Sequence, residues 1–246
     1  MGRFFKGNII TIILFIVLAF RAFTDGRFLN DPLGWLIQTA LLLPGIIIGI
    51  TFHEWAHAFV AYKLGDRLPK EQKRVSLNPV RHVDPIGFIA LIFIGFGWGR
   101  PVEVNPYAFK RPRLYNFLVD IAGVTTNFIL AWIFVLSQFL LVMIPEVANS
   151  LYTSDTWYYV FEALKLATFI NIVLMVFNLL PVPPLDGFGI ITEIFNLRNK
   201  DFYPQLYNAG FPILILLIML NVPARVISPI IETIFSFIYQ VVGTLF

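Results

Sequence analysis

Six apolar runs dominate this chain, at about 8–24, 34–63, 114–144, 157–181, 205–222 and 225–244. Several are longer than a soluble core helix needs and match the roughly 20 helical residues that cross a hydrocarbon core of about 30 Å. Composition agrees. The 246 residues are 58% hydrophobic and 13% charged, whereas soluble domains run at roughly 45–50% and about 25%. Phe alone occurs 26 times, which suits lipid-facing surfaces. The sequence therefore predicts an all-α polytopic membrane protein, with residues 1–246 forming a single transmembrane core and no appended soluble domain. Ile9–Phe20, after Arg3 and Lys6, has the look of a signal-peptide core. The flank "RAFTDGRF" offers no small-residue cleavage site, so a retained span is expected there.

A seventh apolar stretch, "IGFIALIFIGFGWG" at 86–99, is too short to cross as a helix and is weakened by Gly87, Gly95, Gly97 and Gly99. Charge places it. Residues 63–84 hold Lys63, Arg67, Lys70, Lys73, Arg74 and Arg81, and residues 100–113 hold Arg100, Lys110, Arg111 and Arg113. Residues 145–156 hold neither Lys nor Arg. A re-entrant or interfacial 86–106 puts both basic segments on one side, and the positive-inside rule makes that side cytoplasmic. Both termini, Arg198 and Lys200 then face the cytoplasm as well. Arg225 is left outside, in a short turn. The net charge of +3 is modest and its basic residues lie in these loops. It speaks for orientation in a cell membrane, not for nucleic-acid binding.

Against this background "GITFHEWAHAFVAYKLGD", residues 49–66, is costly. A charged residue at the centre of a span costs roughly 2.5–3.5 kcal/mol on insertion scales. His53, Glu54 and His57 fall within five residues, and a metal ion would compensate them. Positions four apart share one helix face, so the two imidazoles of H-E-x-x-H can hold one zinc ion. The glutamate can then act as general base toward a water on the open coordination position. Two histidines that merely hydrogen-bond within a bundle are the plainer alternative. The chain has no cysteine, so a third ligand must be His, Asp, Glu or water. Asp186 in "NLLPVPPLDGFG", 178–189, is the best candidate; a helix N-cap for 188–196 is its alternative. It lies at the cytoplasmic end of its span, and His57 about 10 Å below the same surface at 1.5 Å per residue. They meet if the Pro-rich segment folds back, which the bilayer tolerates only under protein or beside a water-filled cavity.

H-E-x-x-H at 53–57 and N-x-x-P…D-G at Asn178, Pro181, Asp186 and Gly187 together resemble the site-2 proteases. These are the intramembrane zinc metalloproteases of peptidase family M50. The likeness extends to "SLNPVRHVDPIG" (76–87), "GWGRPVEVNP" (97–106) and "AGVTTNFILA" (122–131), where Val124 stands in place of the usual Pro. It is nearest to the short branch built on six spans, in bacteria or archaea. The resemblance implies one Zn2+ held by His53, His57 and Asp186, and water activated by Glu54. It suggests that Asn178 positions substrate or the developing oxyanion; an interhelical hydrogen bond is the alternative there, and the favoured reading for Asn127. His82, between Arg81 and Val83 in a basic loop, is expected at the surface.

The implied partner is a single-span membrane protein or peptide, cleaved within or beside its membrane segment. A helical substrate must unwind, and an exposed edge at Val102, Glu103 and Val104 could replace its lost hydrogen bonds. A plain interfacial loop is the alternative for 102–104. Two other functions stay open: a metal-ion transporter, and an inactive relative that binds membrane segments. A pure ion site has no need of Glu54 as a base. Glu162 and Lys165 are expected to form an ion pair, not a proton path.

Overall fold

A computed structural model describes residues 27–245 except 95, 96 and 152, together with 12, 13, 16, 17, 19, 20 and 24. The expected first span, 8–24, falls largely outside the described residues.

Helix α1, Pro32–Lys63, runs for 32 residues, about 48 Å of helix. Asp31 caps it by accepting from the Gly34 amide at 2.9 Å. It ends where Gly65 turns the chain at φ +116°, a conformation glycine alone adopts freely. Helix α2, Pro85–Ile94, has 10 residues. At about 15 Å it reaches only halfway through a bilayer. The chain then returns, and an antiparallel bridge pairs Val83 with Gly99. The described residues on either side of 95 and 96 thus form the two arms of a hairpin whose ends meet at that bridge. Gly87 makes the hairpin possible: a Cβ there would lie 2.2 Å from the Trp98 carbonyl oxygen.

Helices α3 (Pro112–Val142) and α4 (Asp155–Asn178) are again long enough to cross. Three further helices follow: α5 (Asp186–Phe195), α6 (Tyr203–Met219) and α7 (Val222–Gly243). Among the described residues, four helices have the length and apolarity of membrane spans: α1, α3, α4 and the Arg225–Gly243 part of α7. The run at 205–222 appears as the 17-residue α6, about 25 Å long.

Helices α1, α3 and α4 pack on one another, and α7 closes the α3–α4 side. Glycines bring α1 against α4. A Cβ at Gly45 would sit 2.6 Å from Ala167 Cα, and one at Gly49 2.9 Å from Asn171 Oδ1. Such close approach is how helices associate where lipid removes the hydrophobic drive. The main apolar core is Val124, Ala131 and Val135 of α3, Ile172, Met175 and Val176 of α4, and Ile227, Ile231, Ile238 and Val242 of α7. Among the described residues there is no strand. The stretch 101–105 is extended but lies outside any sheet.

Candidate metal centre

Helix α1 places His53 and His57 one turn apart, with both rings facing α3. Each ring has its Nδ1 occupied. His53 Nδ1 meets Asn127 Oδ1 at 2.7 Å, and His57 Nδ1 meets the Val119 carbonyl oxygen at 2.7 Å. Both partners are acceptors. The Asn127 amide is oriented by its own donations, to the Gly49 carbonyl at 3.2 Å and to Asn171 Oδ1 at 3.0 Å. In a neutral imidazole one ring nitrogen donates and the other accepts, so each Nδ1 carries the hydrogen and each Nε2 presents a lone pair. The two Nε2 atoms lie 3.0 Å apart.

Asp186 completes the group. Its Oδ2 lies 3.2 Å from His53 Nε2 and 3.4 Å from His57 Nε2. It is the first residue of α5, the N-cap position being Leu185. The N-cap alternative therefore does not hold. The Pro-rich segment folds back as expected, and Gly187 is why it can. A Cβ at that position would lie 2.2 Å from the Leu179 carbonyl oxygen at the end of α4.

Three lone-pair donors thus converge with no hydrogen between them, and buried Asp186 Oδ2 has no hydrogen-bond donor. Without a cation this arrangement is repulsive. Tetrahedral zinc with ligands at about 2.0–2.1 Å separates them by about 3.3 Å, and the observed separations are 3.0, 3.2 and 3.4 Å. Space is kept clear as well. A Cβ at Gly123 of α3 would sit 2.5 Å from His57 Nε2 and 2.7 Å from His53 Nε2. The residues present fit a zinc ion.

Glu54 points to the segment 99–102. Its Oε2 accepts from the Val102 amide at 3.1 Å and lies 3.6 Å from Arg74 Nη2. Gly99 is beside it, since a Cβ there would be 3.4 Å from Glu54 Oε1. Val102 and Val104 are half-buried and Glu103 is exposed, its carboxylate accepting from Gln72 at 2.7 Å. Asn178 ends α4 and donates to the Leu174 carbonyl at 2.8 Å, outside the three-ligand group. Lys165 and Glu162 pair at 3.3 Å, one turn apart.

One expectation is corrected. His82 is fully buried, not at the surface, and its Nε2 meets the Ser76 carbonyl at 2.5 Å. The reason is local: the chain turns back so that the Ser76 carbonyl meets the ring, and the His82 carbonyl accepts from the Arg100 amide across the hairpin neck. The sequence reading also missed Arg74, Gly123 and the second role of Asn127. Asn127 makes the interhelical bond expected of it and fixes the His53 ring besides. Gly123 and Asn127 share one face of α3 at i, i+4 spacing, a signal that "AGVTTN" already contains.

Comparison with known proteins agrees with this geometry. The profile of peptidase family M50 matches residues 142–221. "Putative zinc metalloprotease YwhC" of Bacillus subtilis (strain 168) is 37% identical over 226 residues, covering 87% of this chain and 98% of its own. The chain belongs to peptidase family M50. "Putative zinc metalloprotease Rip2" of Mycolicibacterium smegmatis is 27% identical over 200 residues, covering 78% of this chain and 71% of its own. Its Mycobacterium tuberculosis H37Rv counterpart is 25% identical over 199 residues, with the same coverage. No solved structure matches the chain. This M50 protein is a membrane-embedded zinc metalloprotease.

Proposed function

We propose that this M50 metalloprotease cleaves peptide bonds within or beside the membrane segment of a single-span protein, from the cytoplasmic side of a cell membrane. One observation carries the reading: three ligand atoms converge inside a membrane helix bundle, His57 lying about 10 Å from the end of α1. His53, His57 and Asp186 hold the metal. Zinc, when bound, supplies Lewis-acid chemistry, polarising a carbonyl and making a coordinated water acidic near neutral pH. Asn127 and the Val119 carbonyl fix both imidazole rings, so the ligands need no reorganisation as charge develops. Glu54 takes the proton from the attacking water and passes it to the leaving amine. The extended 102–104 segment borders Glu54 and offers an unwound substrate backbone a partner for its freed hydrogen bonds. For Asn178 to donate to the oxyanion, its amide must give up the Leu174 bond.

Glu54→Gln separates binding from chemistry. The variant should retain one zinc per chain, by metal analysis of the purified protein. It should lose at least about a thousandfold in cleavage of a labelled single-span substrate in proteoliposomes. Full cleavage by the variant, or wild-type cleavage that survives a chelator, would overturn the reading.

A further inference from the structure

We propose that Arg74 is the positioning residue for Glu54, and that it does so by stapling the neck of the re-entrant hairpin over the glutamate. Arg74 lies in a run of basic residues whose charge topology alone would explain, yet it is only 5% exposed. A buried guanidinium needs partners on several sides, and these identify its task. Its Nη1 donates to the Arg81 carbonyl and its Nη2 to the Arg100 carbonyl. Those two carbonyls flank the hairpin on either side of the Val83–Gly99 bridge. The Arg100 amide donates back to the His82 carbonyl at 2.6 Å, so the two arms of the neck are also joined directly. The same Nη2 lies 3.6 Å from Glu54 Oε2, and that oxygen also accepts from the Val102 amide, two residues beyond Arg100.

One planar side chain therefore touches three things at once: the entry of the hairpin, its exit, and the catalytic carboxylate. The fork geometry of arginine serves this, because its donors diverge in a fixed plane. Lysine offers a single compact ammonium and can satisfy one or two of the three. The consequence for Glu54 is a fixed orientation. Without Arg74 the carboxylate keeps only the Val102 amide, and the segment bearing that amide loses an anchor. Misplacement by about 1 Å can cost on the order of a hundredfold in rate. The effect falls on the catalytic step, since Arg74 touches none of the three metal ligands.

The inference rests on the proteolytic reading, and the test keeps the two apart. Arg74→Ala, Arg74→Gln and Arg74→Lys would be purified with zinc and assayed on the labelled single-span substrate. In Arg74→Ala kcat should fall about tenfold or more, with KM within about twofold of wild type and zinc still at one per chain. Arg74→Lys should recover part of the loss, and Arg74→Gln less. A second readout needs no activity. The chain has no cysteine, so Val102→Cys supplies one half-buried thiol. Maleimide labelling of that thiol should be several-fold faster beside Arg74→Ala than beside Arg74. Unchanged kcat together with unchanged labelling would overturn the proposal. So would loss of zinc in parallel with kcat in all three variants, since Arg74 would then act on the fold as a whole. If the wild type holds zinc but leaves the substrate intact, the proteolytic reading fails, and the labelling result alone decides whether the staple exists.

Discussion

At the scale of single residues, the centre depends as much on what is missing as on what is present. Gly123 contributes no side chain, and the volume it leaves lies beside both Nε2 atoms. Gly123→Ala would place a methyl 2.5 Å from His57 Nε2 and 2.7 Å from His53 Nε2. Neither ring can retreat without breaking its bond to Asn127 or Val119. Zinc affinity should therefore fall at least about a hundredfold, at the upper end of what disturbing a metal site's support costs. Competition with a chromophoric chelator measures it directly; affinity within about threefold of wild type would refute the steric account. The placement of His53, Glu54 and His57 on one helix, with Asp186 brought to the two imidazoles, was legible in the sequence. The first three sit at fixed offsets on one helix, and Asp186 follows a proline cluster that can only turn. Arg74, Gly123 and Asn127 were not, because most of their partners lie 20 to 78 positions away and only packing selects them. Arg74 was further hidden among lysines and arginines that serve topology.

At the scale of elements, the re-entrant hairpin was legible by exclusion: too short to cross, rich in glycine, and flanked by charge that had to stay on one side. Its neck was not legible, and His82 lies buried within it. Burial pushes the His82 imidazole below its usual pKa, outweighing the Ser76 carbonyl that favours the charged form; Arg74 and Arg81 push it down further. Its Nδ1 is buried without a partner, which suits the neutral ring alone. The unfolded chain therefore takes up a proton near pH 6.5 while the folded neck resists it. Stability is full above about pH 6.5 and declines as pH falls below it. Thermal unfolding should show this as a lower Tm at pH 5.5 than at pH 7.5. In His82→Asn, where the amide can still donate to Ser76, the drop should be smaller. An equal drop in both proteins would assign the pH effect elsewhere, the metal ligands being the next candidates.

At the scale of the whole molecule, orientation decides which compartment supplies water and substrate to the zinc. Helix α3 joins the two observations that bear on it. It runs from Pro112, just after Lys110 and Arg111, to Val142, just before a segment without Lys or Arg. Its 31 residues give about 46 Å of helix, enough to cross once and too straight a path to return. Lys110 and Glu146 must therefore lie on opposite sides. In the proposed topology the hairpin between the basic segments 63–84 and 100–113 does not cross, so their charges add on one side, which the positive-inside rule makes the cytoplasmic one. Both Lys110 and Glu146 are exposed, and the absence of native cysteine makes a thiol at either one unique. With Glu146→Cys, a membrane-impermeant maleimide should label intact cells. With Lys110→Cys it should label only after permeabilisation. The reverse pattern would place the Arg74 staple and the mouth of the metal centre on the outer face, and with them the side from which a substrate is cut. Labelling of both thiols in intact cells would mean that α3 does not cross at all, and the membrane-embedded reading of the centre would fall with it.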